Sequence, residues 1–224
     1  EPENGLQAYY KFEPLTIEPN KVWDHSGNGN HLTMSGFNAD PWVDGVVDKA
    51  LAFDGGNSKA STTKNLDLGT VAFWAKASET IDASNNTNSV FRFEKHAVSF
   101  YLSLNTEINN TGKYFALHGA VNNNSKNSFS SDNDITQPIK GWFHLAVVFN
   151  STDAKYEFYL NAELVETNST GAHVGRMSNS RNLDLGNASA PHYRGFLDEF
   201  RIYDRSLSPA EIEGLYLSGG NPII

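Results

Sequence analysis

The sequence predicts an all-β sandwich or barrel, and three observations carry that expectation. Aromatic residues make up 12% of the 224 positions and gather in runs dense in Val, Phe, Tyr, Leu and Trp, the residue types that suit a pleated, half-buried surface. Within those runs apolar and polar residues alternate, as they must when successive side chains on a strand point to opposite faces. Helical periodicity is confined to the end of the chain. The composition, 39% hydrophobic and 19% charged, can bury a sizeable core. No internal boundary is visible, so one domain over 1–224 is expected.

The elements follow in order. GLQAYYKFE at 5–13 reads as the first strand. TVAFWAK at 70–76 sets Val71, Phe73 and Ala75 on one side, FYLSLN at 100–105 does so with Phe100, Leu102 and Leu104, and WFHLAVVFN at 142–150 aligns Phe143, Leu145, Val147 and Phe149. In YEFYLNAELVE, Asn161 and Ala162 separate two strand-like runs and predict a tight hairpin. FLDEFRIY at 196–203 is a further strand with Phe200 and Ile202 inward. SLSPAEIEGLYLSGG holds the one good helix signal: Ser208 caps, Pro209 takes the first helical position, Glu211 closes the capping box and Gly219-Gly220 ends it, for one or two turns. Asn-rich stretches at 82–89, 105–112 and 122–134 read as rim loops, and Trp74 and Trp142 as core. NLDLG occurs at both 65–69 and 182–186, but the flanks do not match, so no repeat is inferred.

Charge narrows the partners. With 26 acidic against 17 basic residues the net charge is −9, and no basic cluster exceeds two residues, so nucleic acid is excluded as an expected partner. No apolar run approaches the about 20 residues that cross a bilayer, so membrane insertion is not expected. The opening EPENG forms no charged-then-apolar leader, which fits a mature form or an excised module. Cysteine is absent, so disulfides play no part. Six Asn-x-Ser/Thr sequons, beginning with Asn85, matter only in a glycosylating host.

The succession GLQAYYKFE, DHSGNGNHLT, DGVVDKALAFDG, LGTVAFWAKA, GWFHLAVVFN, YEFYLNAELV and RGFLDEFRIYDRSLSPAEIEGLY resembles the laminin-G-like, concanavalin A-like lectin/glucanase superfamily over residues 5 to 217. The resemblance implies a jelly-roll sandwich of two antiparallel sheets with first and last strands paired. It also implies a structural calcium ion near that pairing, and a glycan-binding module of a secreted or cell-surface protein.

WDHSGNGNH at 23–31 supplies what calcium takes, about six to eight oxygens from carboxylates, amides and main-chain carbonyls. Asp24 offers a carboxylate, Asn28 and Asn30 offer amide or carbonyl oxygens, and Gly27 and Gly29 allow the tight fold. His31 would give its carbonyl rather than its ring. Asp198, in FLDEF, and Glu13 are the candidates to close the shell if the first and last strands run antiparallel. Glu199 is expected to face solvent.

For catalysis, no Glu-x-Asp-x-Glu strand triplet supplies the paired carboxylates of a retaining glycosidase. A lyase would need a Tyr or His base beside an Arg. Arg92, Tyr101, Tyr114 and His118 lie on or beside plausible strands, but lyase signatures are absent, and the expectation is a non-enzyme. Trp42, His118, His192, Tyr193 and Arg194 are glycan-contact candidates, with none preferred. The partner expected is a polysaccharide or other glycan, with a surface protein as the alternative.

Overall fold

The computed structural model describes residues 4–15, 17–37, 40–77, 88–95, 98–104, 115–121, 124–130, 141–150, 153, 155–168, 181–186 and 192–219. Its strands are β1 (Leu6–Tyr10), β2 (Lys21–Val22), β3 (Leu32–Ser35), β4 (Trp42–Asp44), β5 (Lys49–Asp54), β6 (Lys59–Thr62), β7 (Thr70–Ala77), β8 (Asn88–Lys95), β9 (Val98–Leu104), β10 (Phe115–Val121), β11 (Asn124–Ser130), β12 (Phe143–Asn150), β13 (Lys155–Leu160), β14 (Glu163–Asn168), β15 (Arg181–Leu185) and β16 (Arg194–Tyr203), followed by helix α1 (Pro209–Ser218). They form two antiparallel sheets stacked as a jelly-roll sandwich. The first runs β14-β13-β12-β7-β16-β5-β4 with β1 also on β16, and the second runs β11-β10-β9-β8-β15-β6-β3-β2.

The predicted alternation places the core. Val71, Phe73 and Ala75 of β7, Phe143, Leu145, Val147 and Phe149 of β12, and Phe200 and Ile202 of β16 all point into one cluster shared with Phe91, Leu183 and Leu185 of the second sheet. Phe73 stacks on Phe200 at 5.1 Å and meets Phe91 edge-on at 5.8 Å, so the aromatic contacts cross from sheet to sheet. Phe100, Leu102 and Leu104 fall on β9, whose side chains lie outside the described residues.

β16 changes partner midway. Arg194–Leu197 pairs with β5, whereas Phe200–Tyr203 pairs with β1, and the register against β7 shifts between Asp198 and Arg201. Glu199, at the shift, has φ +52°, a left-handed conformation rare for a residue with a side chain. First and last strands are therefore paired, as the resemblance implies.

The hairpin turns through Asn161 (φ +48°) and Ala162 (φ +67°), the two positive angles of a type I′ turn. On the outer face of the first sheet, small residues Ala72 and Ala146 leave room for Ile212 and Leu215 of α1. Ser208 and Glu211 make the capping box, and the helix runs ten residues to Gly219, longer than expected, because nothing in AEIEGLYLS breaks it. Two expectations need correction. NSKNSFS, expected within a loop, is strand β11, paired to β10, while most of the other Asn-rich loop positions lie outside the described residues. Trp74 is buried as expected, beneath α1, stacked on Tyr216 at 5.4 Å. Trp142 is only half-buried, beside Phe196.

Candidate functional site

The turn at 23–31 is sewn to β1 by its own polar groups. Asp24 Oδ1 accepts the N–H groups of Tyr9 and Ser26, both at 2.9 Å. Its Oδ2 accepts the N–H of Asn30 at 2.8 Å and the hydroxyl of Ser26 at 2.9 Å. A carboxylate has about four acceptor sites, so these four donors fill it. The amide nitrogens of Asn28 and Asn30 donate to the carbonyls of Leu6 and Gln7, each at 2.8 Å, and Tyr10 donates its hydroxyl to the Asn30 carbonyl at 2.7 Å. His31 takes part through its ring, accepting the Asp24 N–H on Nδ1 at 3.0 Å. Gly27 (φ +88°) and Gly29 (φ +70°) supply the expected left-handed bends.

Asp198 and Glu13 belong to a different group. Asp198 Oδ2 accepts the N–H groups of Val46 and Val47 at 2.8 and 3.0 Å, and Oδ1 accepts that of Glu199 at 2.8 Å. Glu13 Oε1 accepts the Lys49 N–H at 2.9 Å. These two carboxylates clasp the turn between β4 and β5. The five residues expected to form one calcium shell are thus split, and the register explains why: Tyr10 bridges to Asp24 on one edge of β1 and pairs with Phe200 on the other. β1 stands between the two groups. Among the described residues no three His, Asp or Glu side chains gather as a metal cluster. The turn does not fit a calcium cage, which needs convergent free oxygens.

Glu199 is corrected too. Only 4% exposed, it accepts the Tyr9 hydroxyl and the Arg201 guanidinium, each at 2.6 Å. The signal available in the sequence was the Arg two positions on, at the alternate place in the strand. Asp198 and Glu199 cannot serve as a hydrolytic pair, because each is buried and aimed at a separate set of donors.

Of the glycan candidates, Tyr193 is 1% exposed, lies against Phe53, and donates its hydroxyl to the Phe196 carbonyl at 3.1 Å; it is structural. His192 sits on the Gly56 carbonyl, Arg194 is exposed and Trp42 is half-exposed. His118, Arg92 and Tyr101 fall on β10, β8 and β9, and Tyr114 lies outside the described residues.

Register shows what the sequence alone could not. Across the second sheet Lys21 is opposite Thr33, Thr33 opposite Ser61, and Ser61 opposite Asp184. The row continues through Arg92, Tyr101, His118 and Ser130. Positions directly opposite on neighbouring strands place their Cβ atoms about 4.5–5.5 Å apart. All eight residues are polar, while the flanking Leu32, Ala60, Leu183 and Leu185 are core. Thr33 is exposed and Ser61 and Asp184 half-buried, so these three positions of the row belong to the face turned away from the core. The register thus brings Ser, Thr, Asp, Arg, Tyr and His to consecutive positions across the sheet, a composition suited to a ligand rich in hydroxyl groups.

A family model described as the concanavalin A-like lectin/glucanases superfamily, of the laminin G type, matches residues 53–213. Among solved structures, Domain 4 of AbnA, a GH43 extracellular arabinanase from Geobacillus stearothermophilus, in complex with arabinotriose, is similar with a TM-score of 0.70 and 22% identity, covering 94% of this chain and 98% of that one. The binding domain of botulinum neurotoxin DC in complex with SialylT has a TM-score of 0.73 and 14% identity over 97% of this chain and 52% of its own. The same domain in complex with rat synaptotagmin II has a TM-score of 0.66 and 13% identity over 98% and 52%. The chain spans about half the length of those toxin domains. No curated protein matches it. At these identities the likeness concerns the fold.

Proposed function

The chain belongs to the concanavalin A-like lectin/glucanase superfamily, and from that premise we propose that it is a non-catalytic carbohydrate-binding module of a secreted or surface protein. The observation that carries the reading is the polar row across the second sheet, in which the register makes Asp184, Arg92, Tyr101 and His118 consecutive. Sugar hydroxyls need paired donors and acceptors, and sugar rings lie on aromatic faces. The arabinotriose complex of the arabinanase domain lends support by likeness of fold.

A glycan array tests it. Arg92→Ala and Tyr101→Ala are each expected to weaken the retained glycan about tenfold or more, with the melting midpoint held. Silence on the array together with saturable binding to a surface protein would replace this reading by an adhesion module.

One competing reading has a specific observation behind it. Arg92, Tyr101 and His118 are consecutive in the row, which is the company a polysaccharide lyase requires: an Arg to neutralise a uronate carboxylate and a Tyr or His to take the proton beside it. Unsaturated sugars released from a polyuronate panel would establish that activity and sink the non-catalytic reading.

The calcium ion implied by the resemblance is treated as a separate proposal about stability, and the filled carboxylate of Asp24 argues that the turn holds without it. Asp24→Ala is expected to destabilise the fold by about 2–3 kcal/mol, since it strands buried donors, equally in calcium and in chelator. A wild-type melting midpoint that falls by more than about 4 °C on chelation would bring the ion back.

A further inference from the structure

The two sheets part along one side of the sandwich, where β4 ends the first sheet and β3 and β2 end the second. A cleft of about 300 Å³ opens there, lined by Pro19, Asn20, Phe37, Asp40 and Trp42 together with the Gly36 backbone. It adjoins the Lys21–Thr33 end of the polar row through Asn20 and Met34 but differs from the row in character. Phe37 and Trp42 lean on the core yet remain half-exposed, so aromatic surface is presented to the cleft. Asp40 is exposed, and its Oδ1 accepts the backbone N–H of Trp42 at 3.2 Å, which holds the carboxylate against the main chain of the same lining segment. No Lys, Arg or His is among the described lining residues. Lys49, whose charge feels Asp40, has its ammonium on Asp44 at 2.7 Å.

These features select the occupant. An extended peptide would need a sheet edge to pair with, but β2 is two residues long and β4 three, against the usual about five or six. The Pro41 carbonyl is also already taken by the Ala52 N–H. The volume stands at the lower end of the about 300–1,000 Å³ typical of small-ligand sites. An aromatic face beside carboxylate and amide groups, without a cation, suits rings whose hydroxyls donate, and repels carboxylates, sulfates and phosphates.

We propose that this edge cleft is a second saccharide site, adjoining the Lys21–Thr33 end of the polar row but distinct from its Arg92–His118 stretch, that takes one or two non-anionic sugar rings with Trp42 as the stacking face and Asp40 as hydroxyl acceptor and anion filter. It rests on the glycan-binding reading for its ligand class, not for its location. The test is calorimetric titration of the full chain with neutral trisaccharides (arabinotriose, cellotriose, chitotriose) and with trigalacturonate. Wild type, Trp42→Ala, Asp40→Lys and Arg92→Ala are compared. Expected is a neutral-sugar binding event that Trp42→Ala weakens about tenfold or more and Arg92→Ala leaves intact. Trigalacturonate should not occupy the cleft in the wild type and should gain binding in Asp40→Lys. Trp42 leans on the core, so if its variant fails to fold, Asp40→Lys, at an exposed side chain, carries the test. Neutral-sugar binding lost in Arg92→Ala but untouched by Trp42→Ala and Asp40→Lys overturns the cleft and leaves the proposed function standing. Trigalacturonate bound by the wild type as tightly as the neutral sugars, and lost with Trp42, overturns the selectivity. No binding of any of these sugars overturns the cleft, whereas the function is judged on the array.

Discussion

Glu199→Ala is expected to destabilise the protein by about 3–5 kcal/mol, the range for removing one partner of a buried ion pair. Its carboxylate is shared by the Arg201 guanidinium and the Tyr9 hydroxyl, both at 2.6 Å. Arg201 also donates to the Glu199 carbonyl at 3.0 Å and lies over the Tyr9 ring at 3.9 Å. With Glu199 4%, Arg201 2% and Tyr9 8% exposed, water cannot easily replace what the carboxylate supplies. Alanine keeps a Cβ, so the left-handed backbone of position 199 is equally strained before and after, and the loss reports the carboxylate. The network ties Tyr9 of the first strand to the last strand, so its failure should loosen the closure of the sandwich. Glu199→Gln, which keeps shape and one acceptor oxygen, should lose less. The exposed pair of Asp44 and Lys49 at 2.7 Å is the control, and Asp44→Ala should leave the unfolding midpoint nearly unchanged, since solvent screens an exposed pair. Urea unfolding measures all three. A loss below about 1 kcal/mol for Glu199→Ala would mean that the pair is no more than a surface contact in effect.

That bulge also marks where sequence reading stops. Where a strand is regular, alternation is enough: the inward residues of β7 and β12 could be read from TVAFWAK and WFHLAVVFN, and the helix cap from SLSPAE, because each signal lies within a few residues. β11 was hidden because NSKNSFS carries a single aromatic and is otherwise polar, as an edge strand can be. At Asp198 and Glu199 alternation itself fails. A left-handed residue shifts the strand by one place, so two neighbours expected on opposite faces are both buried, and no glycine announces it. The turn at 23–31 was legible in conformation, through Gly27 and Gly29, but not in partner. Which donors Asp24 meets depends on β1 lying between it and β16. The polar row is the reverse case. Arg92, Tyr101 and His118 were visible one at a time, and only the register of three strands makes them neighbours.

Acid should act on this protein through two buried groups of opposite sign. His144 is 1% exposed beneath α1, with its ring 5.4 Å from Trp74 and 6.1 Å from Tyr216, and its Nδ1 has no hydrogen-bond partner. Burial, aided by the charge of Arg201, holds its pKa down at about 3. The folded value lies below the unfolded one, so the unfolded chain binds the extra proton. Stability from His144 is complete above about pH 6.5 and falls by up to about 1.4 kcal/mol per unit on acidification towards pH 3. Asp198 runs the other way. Burial first, then the neighbouring Glu199 charge, pushes its carboxyl up to about 7 against the pull of the Val47, Val46 and Glu199 N–H groups. Its contribution is complete below about pH 4 and is lost as pH rises through 7. Between about pH 4 and 6.5 the two slopes are equal and opposite, so together they should leave wild-type stability nearly flat there. Replacing either group exposes the other. Relative to wild type, Asp198→Asn should become progressively less stable on acidification across that window, and His144→Gln progressively more stable, each by about 1 kcal/mol per pH unit. Denaturant titrations at half-unit steps read the difference, in which the ordinary surface carboxylates cancel. Parallel curves for wild type and His144→Gln would show that the imidazole under α1 reaches water and titrates normally, contrary to its burial there.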